Sequence, residues 1–255
     1  VLARLAGLNC EPIPTGDVMP ARLLLLWDVD HTLIETAGVG AIVFAEAFER
    51  ATGRPMSAGM AKAQGHTEPV LFAETLAMHG LPDDEGLFRR FAQAQAASYT
   101  SRIVELREQG RILPGVSRLL RDLDADPRIV QTVLTGNTRA AAAIKLGTFG
   151  LDQYLDLRIG AYGDDDAHRP LLVDIARRRA EHKYQTQFRR DDTVVIGDTP
   201  RDVHAAHAAG VRAVAVASGI GSAGDLAAAG ASIVLESLEG VEGVNLVDGL
   251  LSPRS

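Results

Sequence analysis

Residues 23–27 read Leu-Leu-Leu-Leu-Trp, an apolar run with no polar alternation. Such a run predicts a strand buried on both faces, as in a parallel sheet covered by helices. It stops abruptly at Asp28-Val29-Asp30-His31-Thr32. After a loop over 35–40 the period changes. Apolar positions 41, 44, 45 and 48 fall on one helix face, and Gly53 fits a C-terminal stop. Thr67-Glu68-Pro69 opens a second predicted helix that ends near Gly80. A third is expected from Asp84 to about Gln109, with Leu87, Phe91, Ala94, Ser98, Ile103 and Leu106 on one side. No strand is expected between Glu35 and Leu113.

From Leu113-Pro114-Gly115-Val116 onward, strand-like runs alternate with helical patterns. Strands are expected over 129–134, 157–161, 193–197, 211–217 and 233–235, and helices over 139–146, 171–179, 203–209 and 223–229. Units of this length alternating β and α imply a parallel sheet with helices on both faces, a doubly wound, Rossmann-like α/β core. The chain therefore divides into a tail (1–20, broken by Pro12, Pro14, Gly16 and Pro20), a core (21–36 and 112–255) and an all-helical insert (37–111).

Composition narrows the picture only slightly. With 255 residues, 46% of them hydrophobic and 23% charged, the chain has the make-up of a globular protein. Its net charge of -7 argues against nucleic acid or an anionic membrane as partner. A single cysteine, Cys10, allows no internal disulfide, and no run approaches the ~20 apolar residues that span a bilayer. The expected setting is the cytoplasm, for a monomer or a homodimer.

The chemistry gathers where predicted strands end. Asp28 and Asp30 close the first; Thr135-Gly136-Asn137 closes the 129–134 strand; Asp198-Thr199-Pro200-Arg201-Asp202 follows 193–197. Asp164-Asp165-Asp166-Ala167-His168-Arg169-Pro170 stands just before a helix. In open parallel sheets, ligands bind at the carboxyl ends of the strands. Carboxylates facing such a crevice are costly to keep ionised unless a cation or a reaction uses them.

These segments resemble the four signatures of the haloacid dehalogenase superfamily of phosphatases: Asp28-Val29-Asp30-His31-Thr32, then Thr135-Gly136-Asn137, then Arg169, then Gly197-Asp198 through Asp202. The resemblance covers roughly residues 22–240. It implies that the helical insert is a cap, placed as in phosphoglycolate phosphatases and their relatives. Gln64-Gly65-His66-Thr67-Glu68-Pro69 is similar to a cap segment of that subgroup, with His66 where a basic residue is usual and Glu68 in place of Asp.

By the same resemblance, Asp28 is the nucleophile that forms an aspartyl-phosphate, and Asp30 protonates the leaving group and later deprotonates water. The neighbouring carboxylate is expected to raise the Asp30 pKa. Mg²⁺ is the implied cofactor, held by the side chains of Asp28 and Asp198 and the Asp30 carbonyl, with Asp202 direct or through water. Thr135, Gly136 and Asn137 would bind the phosphoryl oxygens. Arg169 would hold the same group, with His168 as its rival, and His66 would reach the substrate from the cap. Hinges are expected near 35–38 and 113–115. The expected partner is a small phosphorylated metabolite.

Phosphomutase, phosphonatase (through Lys62, the insert's only lysine) and a non-catalytic phospho-ligand binder are the alternatives. Trp27 reads as core. His31 stands where the family usually has Gly, and reads as a turn residue or a substrate contact. His204 and His207, like the basic run of Arg177, Arg178, Arg179, His182 and Lys183, read as surface.

Overall fold

The computed structural model describes residues 23–62, 65–219 and 221–251. The expected tail, Cys10 and Gln64 lie outside them. Five parallel strands form one sheet in the order β4-β1-β5-β6-β7: β1 Leu23–Trp27, β4 Ile129–Val133, β5 Thr193–Gly197, β6 Arg212–Val216 and β7 Ile233–Leu235. The leucine run is explained by position. β1 lies between β4 and β5, so alternate side chains face opposite layers and all must be apolar.

Leu23, Leu25 and Trp27 pack with helices α5 Val116–Asp124, α6 Arg139–Thr148 and α10 Gly243–Leu251. Leu24 and Leu26 pack with α7 Arg169–Tyr184, α8 Pro200–Ala209 and α9 Ala223–Ala228. Trp27 is fully buried, and its indole N–H donates to Gln131 Oε1 at 3.3 Å. The doubly wound α/β core is thus the architecture of the chain.

Four helices occupy the stretch between β2 Ile34–Glu35 and β3 Arg111–Ile112: α1 Val39–Thr52, α2 Glu68–Met78, α3 Leu87–Ser101 and α4 Ile103–Gln109. The first three enclose an apolar cluster of their own, in which the Phe72 and Phe91 rings lie 4.4 Å apart. α1 ends at Gly53, whose left-handed backbone (φ 71) sends its N–H to Glu49 O.

The structure departs from the expected elements in four places. The single helix 84–109 is two, broken at Arg102 (φ -108, ψ 19). There the Arg102 N–H is shared between Ser98 O and Tyr99 O, 3.1 Å from each, a tightening towards i→i−3 bonding, and the Ser101 hydroxyl also donates to Ser98 O at 2.8 Å. A strand does occur before Leu113: β3 pairs antiparallel with β2, so the two chain crossings lie side by side in a short ribbon. Residues 157–161 make no strand, only a single bridge from Ala161 to Leu134. Leu157 O is taken by the Tyr162 hydroxyl (2.6 Å) and Asp156 O by the Thr132 hydroxyl (2.7 Å). Helices α5 and α10 were not expected, although Val116, Leu119, Leu120 and Leu123 carry an i, i+3, i+4, i+7 stripe.

Candidate active site

The strand-end segments meet over one edge of the sheet. β1 extends one residue further through Asp28 N–H to Ile196 O (2.8 Å), which fixes the Asp28 backbone beside the end of β5. The chain then turns sharply. His31 takes φ 62, a left-handed conformation that is strained for a side-chain-bearing residue, and Thr32 turns its hydroxyl to Asp198 Oδ1 at 3.1 Å. His31 is exposed, and its carbonyl accepts from the Ser218 hydroxyl at 2.6 Å.

Asp28, Asp198 and Asp202 form one buried group, each offering a carboxylate oxygen within 4.8 Å of the others. Arg169 Nη2 donates to Asp28 Oδ1 at 2.8 Å and to Asp202 Oδ1 at 2.5 Å, while its Nε is buried without a hydrogen-bond partner. Pro170 in the first turn of α7 sets the start of the helix, and Arg169 points inward; His168, 82% exposed, pairs instead with Asp166. Arg169, and not His168, is therefore the basic side chain turned into the acidic group. Asp202 Oδ2 closes a capping box with Thr199 at the start of α8, so both of its oxygens are engaged.

Three buried carboxylates face one guanidinium. Burial pushes the Asp28 carboxyl upward, opposed by Arg169 and reinforced by Asp202; burial, then Asp28 and Asp202, push Asp198 the same way. An all-oxygen set with this excess of negative charge suits a hard divalent cation.

Asp30 faces elsewhere, and its carboxylate does not join that group. Lys145 Nζ donates to Asp30 Oδ1 (2.9 Å) and Oδ2 (2.8 Å), and Asn137 Nδ2 donates to Oδ2 (2.7 Å). Burial pushes the Asp30 carboxyl up, but the Lys145 ammonium, its hydrogen bonds and that of Asn137 outweigh it and hold it below the usual range. This corrects the expected upward shift, because a lysine that no motif announces overrides the neighbouring acid. The second amide proton of Asn137 goes to Thr135 Oγ1 (2.8 Å) and its Oδ1 accepts from Lys145 (2.7 Å). The Asn137 side chain thus orients Asp30 and Thr135, with no amide proton left for a substrate.

Lys145 is the residue that sequence reasoning missed. Its signal was a cation in the alanine-rich stretch after Arg139, Ala-Ala-Ala-Ala-Ile-Lys145-Leu146, at a position on the buried face of α6.

The loop before α2 sits directly on this site. A Cβ on Gly136 would lie 2.2 Å from His66 O, and Glu68 N–H donates to Gly136 O at 2.8 Å. The Thr67 hydroxyl donates to Ala167 O at 2.8 Å. His66 Nδ1 lies 3.3 Å from Glu74 Oε2 but is buried without a hydrogen-bond partner. His204 and His207 are exposed on α8, and Lys62 is exposed. No helix among the described residues is long and apolar enough to cross a membrane.

Glu68 yields a pH prediction. Its Oε1 accepts from Gln95 Nε2 at 2.8 Å, and its Oε2 is buried with no hydrogen-bond partner. Burial lifts its pKa from 4.5 to about 7, with Lys145 pulling the other way and Asp30 adding to the rise. Between those values the folded chain binds more protons than the unfolded one. The Glu68 contribution to stability is therefore full below about pH 4.5 and lost as the pH rises to about 7. Glu68→Gln should gain on the native protein by about 1–3 kcal/mol from pH 5 to pH 8 in urea unfolding. A constant difference across that range would contradict the assignment.

A parallel α/β sheet with acids, a threonine and an arginine converging on its carboxyl edge defines the class of protein. The chain belongs to the haloacid dehalogenase-like hydrolases, whose family model matches residues 25–216. No curated protein sequence matches it significantly. Among solved structures it is similar to a hydrolase from Pseudomonas syringae (22% identity, TM-score 0.65, covering 91% of this chain and 100% of that one). It is also similar to a protein from Haemophilus somnus named as a predicted phosphoglycolate phosphatase (18%, TM-score 0.59, 90% and 98%). A third is named as a candidate β-phosphoglucomutase from Bacteroides vulgatus (16%, TM-score 0.64, 92% and 92%). At these identities the structural likenesses establish the fold alone.

Proposed function

We propose that this protein is a Mg²⁺-dependent phosphatase acting on a small phosphorylated metabolite through an aspartyl-phosphate on Asp28. The observation that carries this reading is the division of two acids, two residues apart on one strand end, between unlike environments. Asp28 lies among Asp198, Asp202 and Arg169, whereas Asp30 lies on Lys145 and Asn137. Paired carboxyls kept in separate surroundings are how one site performs nucleophilic and acid–base steps together.

An Asp28 oxygen attacks phosphorus as the bond to the leaving oxygen breaks; Asp30, held ionised by Lys145 in the free protein, takes up a proton from water as the substrate's negative charge enters beside it and passes that proton to the leaving oxygen. Water then attacks the acyl-phosphate, giving its proton to Asp30, and the free Asp28 carboxylate returns. Arg169, fixed between Asp28 and Asp202, holds a phosphoryl oxygen, and its partnerless Nε–H supports that role. The Thr135 hydroxyl accepts from Asn137 and keeps its own proton for the same group. Asp28, Asp198 and the Asp30 carbonyl would hold Mg²⁺, with Asp202 beside them; the ion would neutralise charge between the two anions. Helices α1–α4 would serve as the cap, with the 65–68 loop shielding the phosphoryl site from water.

A panel of phosphorylated metabolites, phosphoglycolate among them, tests the reading when phosphate release is followed with Mg²⁺ and with EDTA. Release with Mg²⁺ and none with EDTA is expected. Isomerised sugar phosphate without release would make the protein a mutase, and binding without turnover would make it a binding protein. A phosphonatase needs a free lysine amine for a Schiff base. Lys145 donates to three acceptors, so it does not support that alternative.

A further inference from the structure

Lys145 is only 4% exposed. Burying an ammonium costs several kcal/mol unless it is fully partnered, and an apolar side chain on this alanine-rich helix would avoid that penalty. Its protons go to Asp30 Oδ1, Asp30 Oδ2 and Asn137 Oδ1, which leaves none for a substrate. The remaining face of the ammonium meets the ring of Tyr99, 5.2 Å from its centroid.

Tyr99 belongs to α3 of the helical segment, whereas Lys145 belongs to α6 of the core. One helical turn earlier on α3, Gln95 donates to Glu68 and accepts from the Thr138 hydroxyl, the N-cap of α6. Polar contacts thus join α3 to α6 at two points one turn apart, Gln95 to Thr138 and Tyr99 to Lys145, and the second leads on to Asp30.

We propose that Lys145 is a positioning residue that clamps the Asp30 carboxylate in one orientation, and that Tyr99 holds the clamp while the helical segment is docked. This rests on the phosphatase reading above, in which Asp30 protonates the leaving oxygen. Two contacts on Asp30 and one on Asn137 fix the carboxylate from both ends. The cation–π contact from α3 makes that fixation depend on the docked helices, so proton delivery and site closure are linked through one side chain.

The test uses the full chain with Mg²⁺ and a series of phosphate monoesters, from nitrophenyl phosphate to an alkyl phosphate, with kcat/KM plotted against leaving-group acidity. A nitrophenolate departs without a proton; an alkoxide does not. Lys145→Met should lower kcat/KM for the alkyl ester by about 10- to 100-fold and for the nitrophenyl ester by less than about 3-fold, a partial loss against the roughly 100- to 10,000-fold of general acid catalysis. Tyr99→Leu should shift the plot in the same direction by a smaller factor, and it carries the test if Lys145→Met does not fold. An equal factor across all esters would reduce Lys145 to a structural role and overturn the proposal. Failure of the native protein to release phosphate from any ester would instead overturn the phosphatase reading beneath it.

Discussion

Asp28→Asn should abolish phosphate release, by at least about a thousandfold in kcat, because the amide neither attacks phosphorus nor holds the resulting phosphoryl group. The same substitution should leave the folded protein at least as stable as the native one in EDTA. Asp28 is buried beside Asp198 and Asp202, and only Arg169 offsets their charge. Removing one like charge from that group relieves repulsion while Arg169 keeps Asp202. Activity and stability thus move in opposite directions, as expected where a site is held at the expense of the fold. Urea unfolding beside a phosphate-release assay reads both. Residual turnover near the native rate would remove Asp28 as nucleophile, and a large loss of stability would show that the acids are not in conflict.

Arg169→Met should have the largest effect on stability. The guanidinium bridges Asp28 and Asp202, all three side chains are at most one-tenth exposed, and its loss leaves three buried carboxylates with no counter-charge. Breaking a buried ion pair from one side costs about 3–5 kcal/mol. Unfolding in EDTA should show a loss of that size, and Mg²⁺ should restore part of it by binding the folded state alone. Arg169→Lys should lose less, since the charge remains and only the fork that reaches both acids goes. If Arg169→Met were as stable as the native protein in EDTA, the charge balance described here would be wrong. If Mg²⁺ gave no recovery, the acids would not be its site.

Much of the fold was legible because its main signals are local. The Leu23–Trp27 run, the strand at 193–197 and the helix signals at Gly53 and Pro69 depend on burial on both faces and on backbone geometry, which neighbouring residues reveal. The errors arose where side chains compete for the backbone. At Arg102 the backbone N–H divides between Ser98 O and Tyr99 O while the Ser101 hydroxyl also takes Ser98 O, and the Tyr162 hydroxyl takes the Leu157 carbonyl that a strand would need. The β2–β3 ribbon escaped because pairing over 76 residues leaves no mark on strands two residues long.

The sequence by itself determined the α/β class, the all-helical stretch between the first strand and the rest of the sheet, and the acids, threonine and arginine at the strand ends. It could do so because each is written in adjacent residues and in their order along the chain. Only the tertiary structure decided that Arg169 rather than His168 turns inward, that Asn137 serves Asp30 and Thr135, and that Lys145 stands against Asp30 beneath Tyr99. Those facts depend on which distant side chains share one buried volume. A charge placed there takes its meaning from distant partners, as Lys145 does from Asp30, 115 residues away.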